Sequence, residues 1–105
     1  MSRVDVQIAK QKFGKVYPRG CCEFVCDLLG RPLILADSFR RGAAIGSNNQ
    51  YSNVSRGDIV GFPGHVAIYV GEPGCMFIDV NGAGNPVRIV RNGYGNQTVY
   101  KCSYN

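Results

Sequence analysis

The chain has no tryptophan and a single histidine, His65, among its 105 residues. The first absence means that any aromatic surface must come from the six tyrosines and five phenylalanines. The second confines imidazole chemistry to one position. No apolar run approaches the ~20 residues of a membrane-crossing helix, so no membrane insertion is expected. No two cysteines have the C-x-x-C spacing of a structural zinc site, and nothing calls for a metal or a cofactor. Met1 to Lys12 is polar and helix-like and lacks the apolar centre of a signal peptide. Synthesis in the cytosol without a signal peptide is therefore expected, and work elsewhere would need another export route.

What is present describes one compact domain over residues 1–105. At 45% hydrophobic residues the chain can build a core, and its 14 glycines point to many turns and short strands. The formal net charge is +5. Such a balance suits an anionic partner: nucleic acid, a membrane surface, a cell-wall polymer or an acidic protein. The basic residues are scattered rather than gathered in one run, which fits a solvated surface equally well. The aromatics do not interleave with them as a nucleic-acid stacking platform requires, so no nucleic-acid partner is expected. The five cysteines are Cys21, Cys22, Cys26, Cys75 and Cys102. Four of them allow three connectivities, and Cys75 and Cys102 lie in two strand-like segments that could meet. Small buried hydrophobes are the alternative reading of all five.

Periodicity divides the chain into helices followed by strands. Ser2 is placed to cap a first helix over about Arg3 to Phe13, with Val4, Ile8 and Ala9 inward and Gly14 as its stop. A turn through Pro18 and Gly20 leads to a second helix, Cys21 to Leu29, which Gly30 and Pro32 end. Leu33 to Arg41 reads as a third, shorter helix opened by Pro32. Gly42 to Ser55 is rich in Gly, Asn and Ser and reads as an irregular loop in which Asn48, Asn49, Gln50 and Tyr51 are positioned to meet a substrate. Five short strands follow: Asp58 to Phe62, His65 to Val70, Cys75 to Val80, Val87 to Arg91 and Thr98 to Ser103. Tight turns between them imply an antiparallel meander. The expected fold class is α+β, with N-terminal helices packed on a five-stranded, mostly antiparallel sheet.

Cys21 is the candidate nucleophile. A free thiol is mostly protonated at neutral pH, and only its thiolate attacks. The turn before Cys21 puts it in the first turn of its helix, where unpaired backbone N–H groups and the dipole favour a negative charge. The same N–H groups are placed to stabilise an oxyanion. His65, directly after Pro63-Gly64 at the start of a strand, is the available base. A third polar group is needed to orient the imidazole. The neighbouring strand offers Asp79, the first choice, and Asn81, which alternate with Ile78 and Val80 and so face one way.

These segments resemble, in order, the motifs of NlpC-like cell-wall peptidases. Ala9-Lys10-Gln11-Lys12-Phe13-Gly14-Lys15-Val16-Tyr17 is similar to A-x-x-x-L-G-x-P-Y. Gly20-Cys21-Cys22-Glu23-Phe24-Val25 resembles the nucleophile motif D-C-S-G-F-V. Arg56-Gly57-Asp58-Ile59-Val60 resembles P-G-D-L-V, and Gly64-His65-Val66-Ala67-Ile68-Tyr69-Val70-Gly71 resembles H-V-G-I-Y-V-G. Phe77-Ile78-Asp79-Val80 falls where the family often carries I-H-A. The resemblance implies a papain-like core and hydrolysis of amide bonds in the peptide stems of peptidoglycan. It selects Cys21 over Cys22 as nucleophile. Gly20, Glu23 and Asp79 depart from the family's aspartate, glycine and histidine. The small size is similar to that of amidase effectors delivered by type VI secretion, which implies action in the periplasm of a target cell and a cognate immunity protein as a partner.

The sequence thus reads as a monomeric cysteine amidase or endopeptidase with Cys21, His65 and Asp79 as catalytic residues. Tyr17, Glu23 and Asn81 are its expected substrate contacts. Two rivals stand beside it: a toxin that deamidates or cleaves a protein on the same core, and a non-catalytic basic binding module.

Overall fold

The first helix begins at a carboxylate. Asp5 accepts hydrogen bonds from the backbone N–H groups of Gln7 and Ile8, capping α1 (Val6–Gln11). The expected cap, Ser2, lies outside residues 3–104, which are the residues the computed structural model describes. The helix is shorter than its pattern suggests and buries Val6 and Ala9, whereas Ile8 is exposed. The second helix, α2 (Cys21–Leu29), has the expected bounds and ends on Gly30 in the left-handed conformation. It buries Cys21, Cys22, Phe24, Val25 and Cys26.

Among the described residues there are seven strands: β1 (Arg40–Ser47), β2 (Gln50–Tyr51), β3 (Ile59–Phe62), β4 (His65–Glu72), β5 (Cys75–Val80), β6 (Val87–Val90) and β7 (Val99–Ser103). They form one sheet in the order β2-β1-β7-β3-β4-β5-β6. Every pairing between strands is antiparallel. The run from β3 to β6 is the expected meander, and β7 returns to lie between β1 and β3.

This architecture overturns the α+β, papain-like expectation of N-terminal helices on a five-stranded sheet. The described residues form an antiparallel seven-stranded sheet carrying two short helices. The five expected strands are present, but the third helix and the long loop are not. Residues 33–41 hold only a 3-10 turn, Ala36–Ser38, and the start of β1. Residues 42–55 complete β1 and form β2. The apolar spacing of Leu33, Ile34, Ala36 and Phe39 imitates a helix face, yet Arg40 pairs with Ser103 and Ala44 with Tyr100. A pairing partner so distant in sequence leaves no trace in local periodicity.

Alternation along the strands fills two layers. Ile59, Val66, Ile68, Val70, Ile78 and Val80 pack with α1 and α2. Val60, Phe62, Ala67 and Phe77 form a second cluster with Ile45 and Val99, under Tyr51, Tyr69 and Tyr94. Among the described residues no helix is long and apolar enough to cross a membrane.

All five cysteines are buried free thiols. β5 and β7 are separated by β3 and β4, three strand spacings or about 14 Å. A disulfide needs Cα atoms within ~7 Å, so Cys75 and Cys102 do not pair. Thiol titration of the unfolded protein without reductant should therefore count all five cysteines, and a count of three would contradict this fold. Phe24 is fully buried, and Phe24→Ala should lower stability in urea by about 3–5 kcal/mol.

Candidate active site

The chain segment before α2 is fastened to the segment after β5. Tyr17 N–H donates to the Asn85 carbonyl, Gly84 N–H to the Tyr17 carbonyl and Val87 N–H to the Lys15 carbonyl. This ladder carries the start of α2 to the end of the sheet where β5 stops. Gly20 makes the approach possible. Its φ is 79°, and a Cβ there would meet the Ala83 nitrogen at 3.0 Å. A glycine at position 20 is thus a requirement of packing.

Cys21 follows as the first residue of α2. The first backbone bond into the helix is Phe24 N–H to the Gly20 carbonyl. The N–H groups of Cys21, Cys22 and Glu23 precede it and have no partner within the helix. They surround the thiol with positive dipole ends.

His65 opens β4 and Asp79 lies on β5. The imidazole Nε2–H donates to Asp79 Oδ2 at 2.8 Å. That bond fixes the ring and leaves Nδ1 as the nitrogen available to Cys21. Asp79 is completely buried and has two further partners. Arg88 on β6, directly opposite it in register, donates Nε–H to Oδ1 at 2.7 Å and Nη2–H to Oδ2 at 3.4 Å. The Tyr94 hydroxyl donates to Oδ2 at 2.8 Å. Phe62 packs on the His65 ring with centroids 5.2 Å apart, and Tyr94 packs edge-on at 5.5 Å.

The ionisation of the group follows from these contacts. Burial works against charge on Cys21, but hydrogen bonds from His65 and from the Val66 backbone N–H outweigh it, and the thiol is pushed below its ordinary value. Burial likewise opposes charge on His65, but its bonds to Asp79 and Cys21 raise it to about 9. Asp79 is held below the usual carboxylate range despite burial, by His65, Arg88 and Tyr94. Tyr94 is raised well above the phenol value by burial and by the Asp79 charge, so its hydroxyl remains a donor. Cys22 lies beside the nucleophile, with its sulfur 3.9 Å from that of Cys21. Burial and the Cys21 charge push it up to about 11, which leaves it a neutral thiol.

Cys21, His65, Asn81 and Arg88 line a cavity of about 370 Å³, together with Phe62, Tyr94 and Gln97. The other expected substrate contacts lie elsewhere. Tyr17 is buried against Phe24 and donates its hydroxyl to Asp27 at 2.5 Å. Glu23 accepts from the Arg19 backbone N–H and lines a separate hollow with Cys26, Asp27 and Arg31. Asn48, Asn49, Gln50 and Tyr51 do not line the cavity. Asn48 and Asn49, both at positive φ, turn the β1–β2 hairpin. Tyr51 and Asn49 accept from the backbone N–H groups of Tyr94 and Gly95, so the hairpin buttresses the segment that brings Tyr94 to Asp79.

Arg88 and Tyr94 were not anticipated from the sequence. The alternation in Val87-Arg88-Ile89-Val90 contained a signal for Arg88, once that strand is paired with β5. Tyr94 sits outside any strand and carried none. A second cavity, about 350 Å³, is lined by Arg3, Asp58, Lys101 and Cys102, but it has no imidazole, and burial pushes the Cys102 thiol up to about 11. Among the described residues no group of three or more His, Cys, Asp or Glu side chains is placed to hold a metal ion.

Alkylation by iodoacetamide, followed residue by residue by mass spectrometry, should show Cys21 ionising below its ordinary value and Cys22 near pH 11. Asp79→Asn should move the Cys21 midpoint upward, because the imidazolium beside it loses its counter-charge. The same pair sets a pH dependence of stability. His65 holds its proton more tightly folded than unfolded, so its contribution is full below pH 6.5 and is lost as pH rises through about 9. His65→Gln should flatten that alkaline limb in urea melts taken across the range.

No family model, curated protein or solved structure matches the chain.

Proposed function

We propose that the protein is a cysteine hydrolase of amide bonds, with the peptide stems of peptidoglycan as its substrate. One observation carries the reading. A thiol at a helix N-terminus and an imidazole line one cavity, and a buried carboxylate outside its wall holds the imidazole at 2.8 Å. That is the constellation of nucleophile, base and orienting group that acyl transfer needs. The choice of substrate rests on the ordered likeness of the Cys21, Asp58 and His65 segments to NlpC-like motifs, and on a net charge of +5 that favours an anionic polymer.

The reaction follows from the resting ionisation. His65, raised to about 9, carries a proton at neutral pH, and the Cys21 thiol beside it is pushed below its ordinary value. The thiolate adds to the amide carbonyl carbon, forming a C–S bond, and the electron pair moves to oxygen. N–H groups of the first turn of α2 receive that oxyanion. The C–N bond then breaks, and His65 gives its proton to the departing amine. His65, now neutral, takes a proton from water as it adds to the thioester. Collapse releases the carboxylic acid and restores the thiolate and imidazolium. Asp79 stays ionised throughout and holds the ring in place.

Purified sacculi digested with the protein should release fragments whose masses show a cleaved stem amide. Cys21→Ala should abolish release. His65→Gln should lower it by about 10²–10⁴-fold, the usual worth of a general acid–base. Cys22→Ala should stay within a few fold of wild type. Undiminished cleavage by Cys21→Ala would end the assignment. Growth arrest on periplasmic but not cytosolic expression would accord with a wall substrate, and the reverse with a protein target.

A further inference from the structure

Arg88 has more hydrogen-bonding capacity than Asp79 uses. A guanidinium presents five N–H donors in a planar fork. Asp79 takes two of them, through Nε and Nη2, which leaves three. The Arg88 side chain is 44% exposed, whereas that of Asp79 is 0% exposed. The pair is therefore neutral as a sum but not as seen from the cavity: the cation faces the ligand space and the anion is behind it. No Asp or Glu lines that cavity, and the amides of Asn81 and Gln97 add neutral donors to its wall. Arg88 is thus a cation that lines the cavity beside Cys21 while its counter-charge, Asp79, lies outside the cavity wall.

We propose that Arg88 is a specificity residue that holds a free carboxylate of the substrate beside the scissile bond, with Asn81 and Gln97 completing the pocket. The planar fork suits a carboxylate, and Asp79 fixes its orientation before the ligand arrives. The word substrate rests on the hydrolase reading above, but the pocket itself does not. Amides flanked by a free carboxylate are the class this site selects, over the same amides with that group blocked as carboxamide.

Two alkylating agents of nearly equal size test the pocket without any hydrolysis. Iodoacetate carries a carboxylate and iodoacetamide does not. Both react only with thiolate, so the ratio of their rates at Cys21 cancels any change in thiolate population. Normalised to the same ratio for N-acetylcysteine, Cys21 should favour iodoacetate by about tenfold at low salt, in line with ion focusing in clefts. The preference should shrink as sodium chloride is raised. Arg88→Gln should remove it. Arg56→Gln should leave it intact, since Arg56 pairs with Glu72 away from the cavity. In wild type, N-acetylalanine should slow iodoacetamide at Cys21 more than N-acetylalaninamide does, a measurement that needs no variant to fold.

A normalised ratio of one in wild type, or a preference unchanged in Arg88→Gln, overturns the proposal whatever the protein hydrolyses. If the preference is present and Arg88 carries it, the pocket stands, even should sacculi remain uncut. In that case only the hydrolase reading is lost. With a cleavable stem peptide and its carboxamide in hand, wild type should prefer the acid chiefly through KM, and Arg88→Gln should erase that preference.

Discussion

A carboxylate with no exposed surface governs this molecule. Asp79 lies on β5 between β4 and the edge strand β6, fully buried, where an unpaired charge is too costly to persist. Three residues meet that demand: His65 from β4, Arg88 from β6 and Tyr94 from the segment beyond β6. His65 and Asp79 form the buried ion pair of this group, and removing one partner of such a pair typically costs about 3–5 kcal/mol. The order β4-β5-β6 and the register that sets Asp79 opposite Arg88 are therefore conditions of stability as well as of chemistry. The hairpin of β1 and β2 belongs to the same arrangement, because Tyr51 and Asn49 hold the backbone that delivers Tyr94.

The nucleophile reaches this network from the other layer. Backbone bonds between residues 15–17 and 84–87 tie the entry to α2 to the end of β5, and Gly20 allows the two segments to touch. A long side chain at position 20 would push the helix away from the sheet, and with it the thiol from the imidazole. The site is thus held by main-chain contacts on one side and by a buried ion pair on the other.

The sequence revealed the chemistry more clearly than the architecture. Cys21 was legible because a turn, a glycine and an apolar helix follow one another within a few residues. His65 was legible because it is alone, and Asp79 because it alternates with Ile78 and Val80 along one strand. These are local patterns. Strand β1 was not legible: Arg40 to Ala44 are exposed and small or charged, with no inward alternation until Ile45. Its existence depends on β7, some sixty residues away. Tyr17 misled for a related reason. A tyrosine beside the nucleophile turn suggests a cleft wall, but only the packed structure shows its ring buried on Phe24 and its hydroxyl committed to Asp27.

The division of Asp79 between two jobs bears on how the site works. Oδ1 is taken by Arg88 Nε, and Oδ2 serves His65 and Tyr94. A carboxylate bound on both oxygens cannot swing, so the imidazole it orients is also fixed. Its charge is shared, which tempers its pull on His65. A bare buried carboxylate would hold the imidazolium proton too tightly to release it to a leaving amine. Arg88 and Tyr94 share that carboxylate, burial works against the imidazolium, and the bonds to Asp79 and Cys21 raise His65 to about 9. The imidazolium is then protonated at rest, as the thiolate requires, yet remains a usable acid once the thiolate charge has moved onto the substrate oxygen. An orienting aspartate in so dry a place works because an arginine on the neighbouring strand is paired with it.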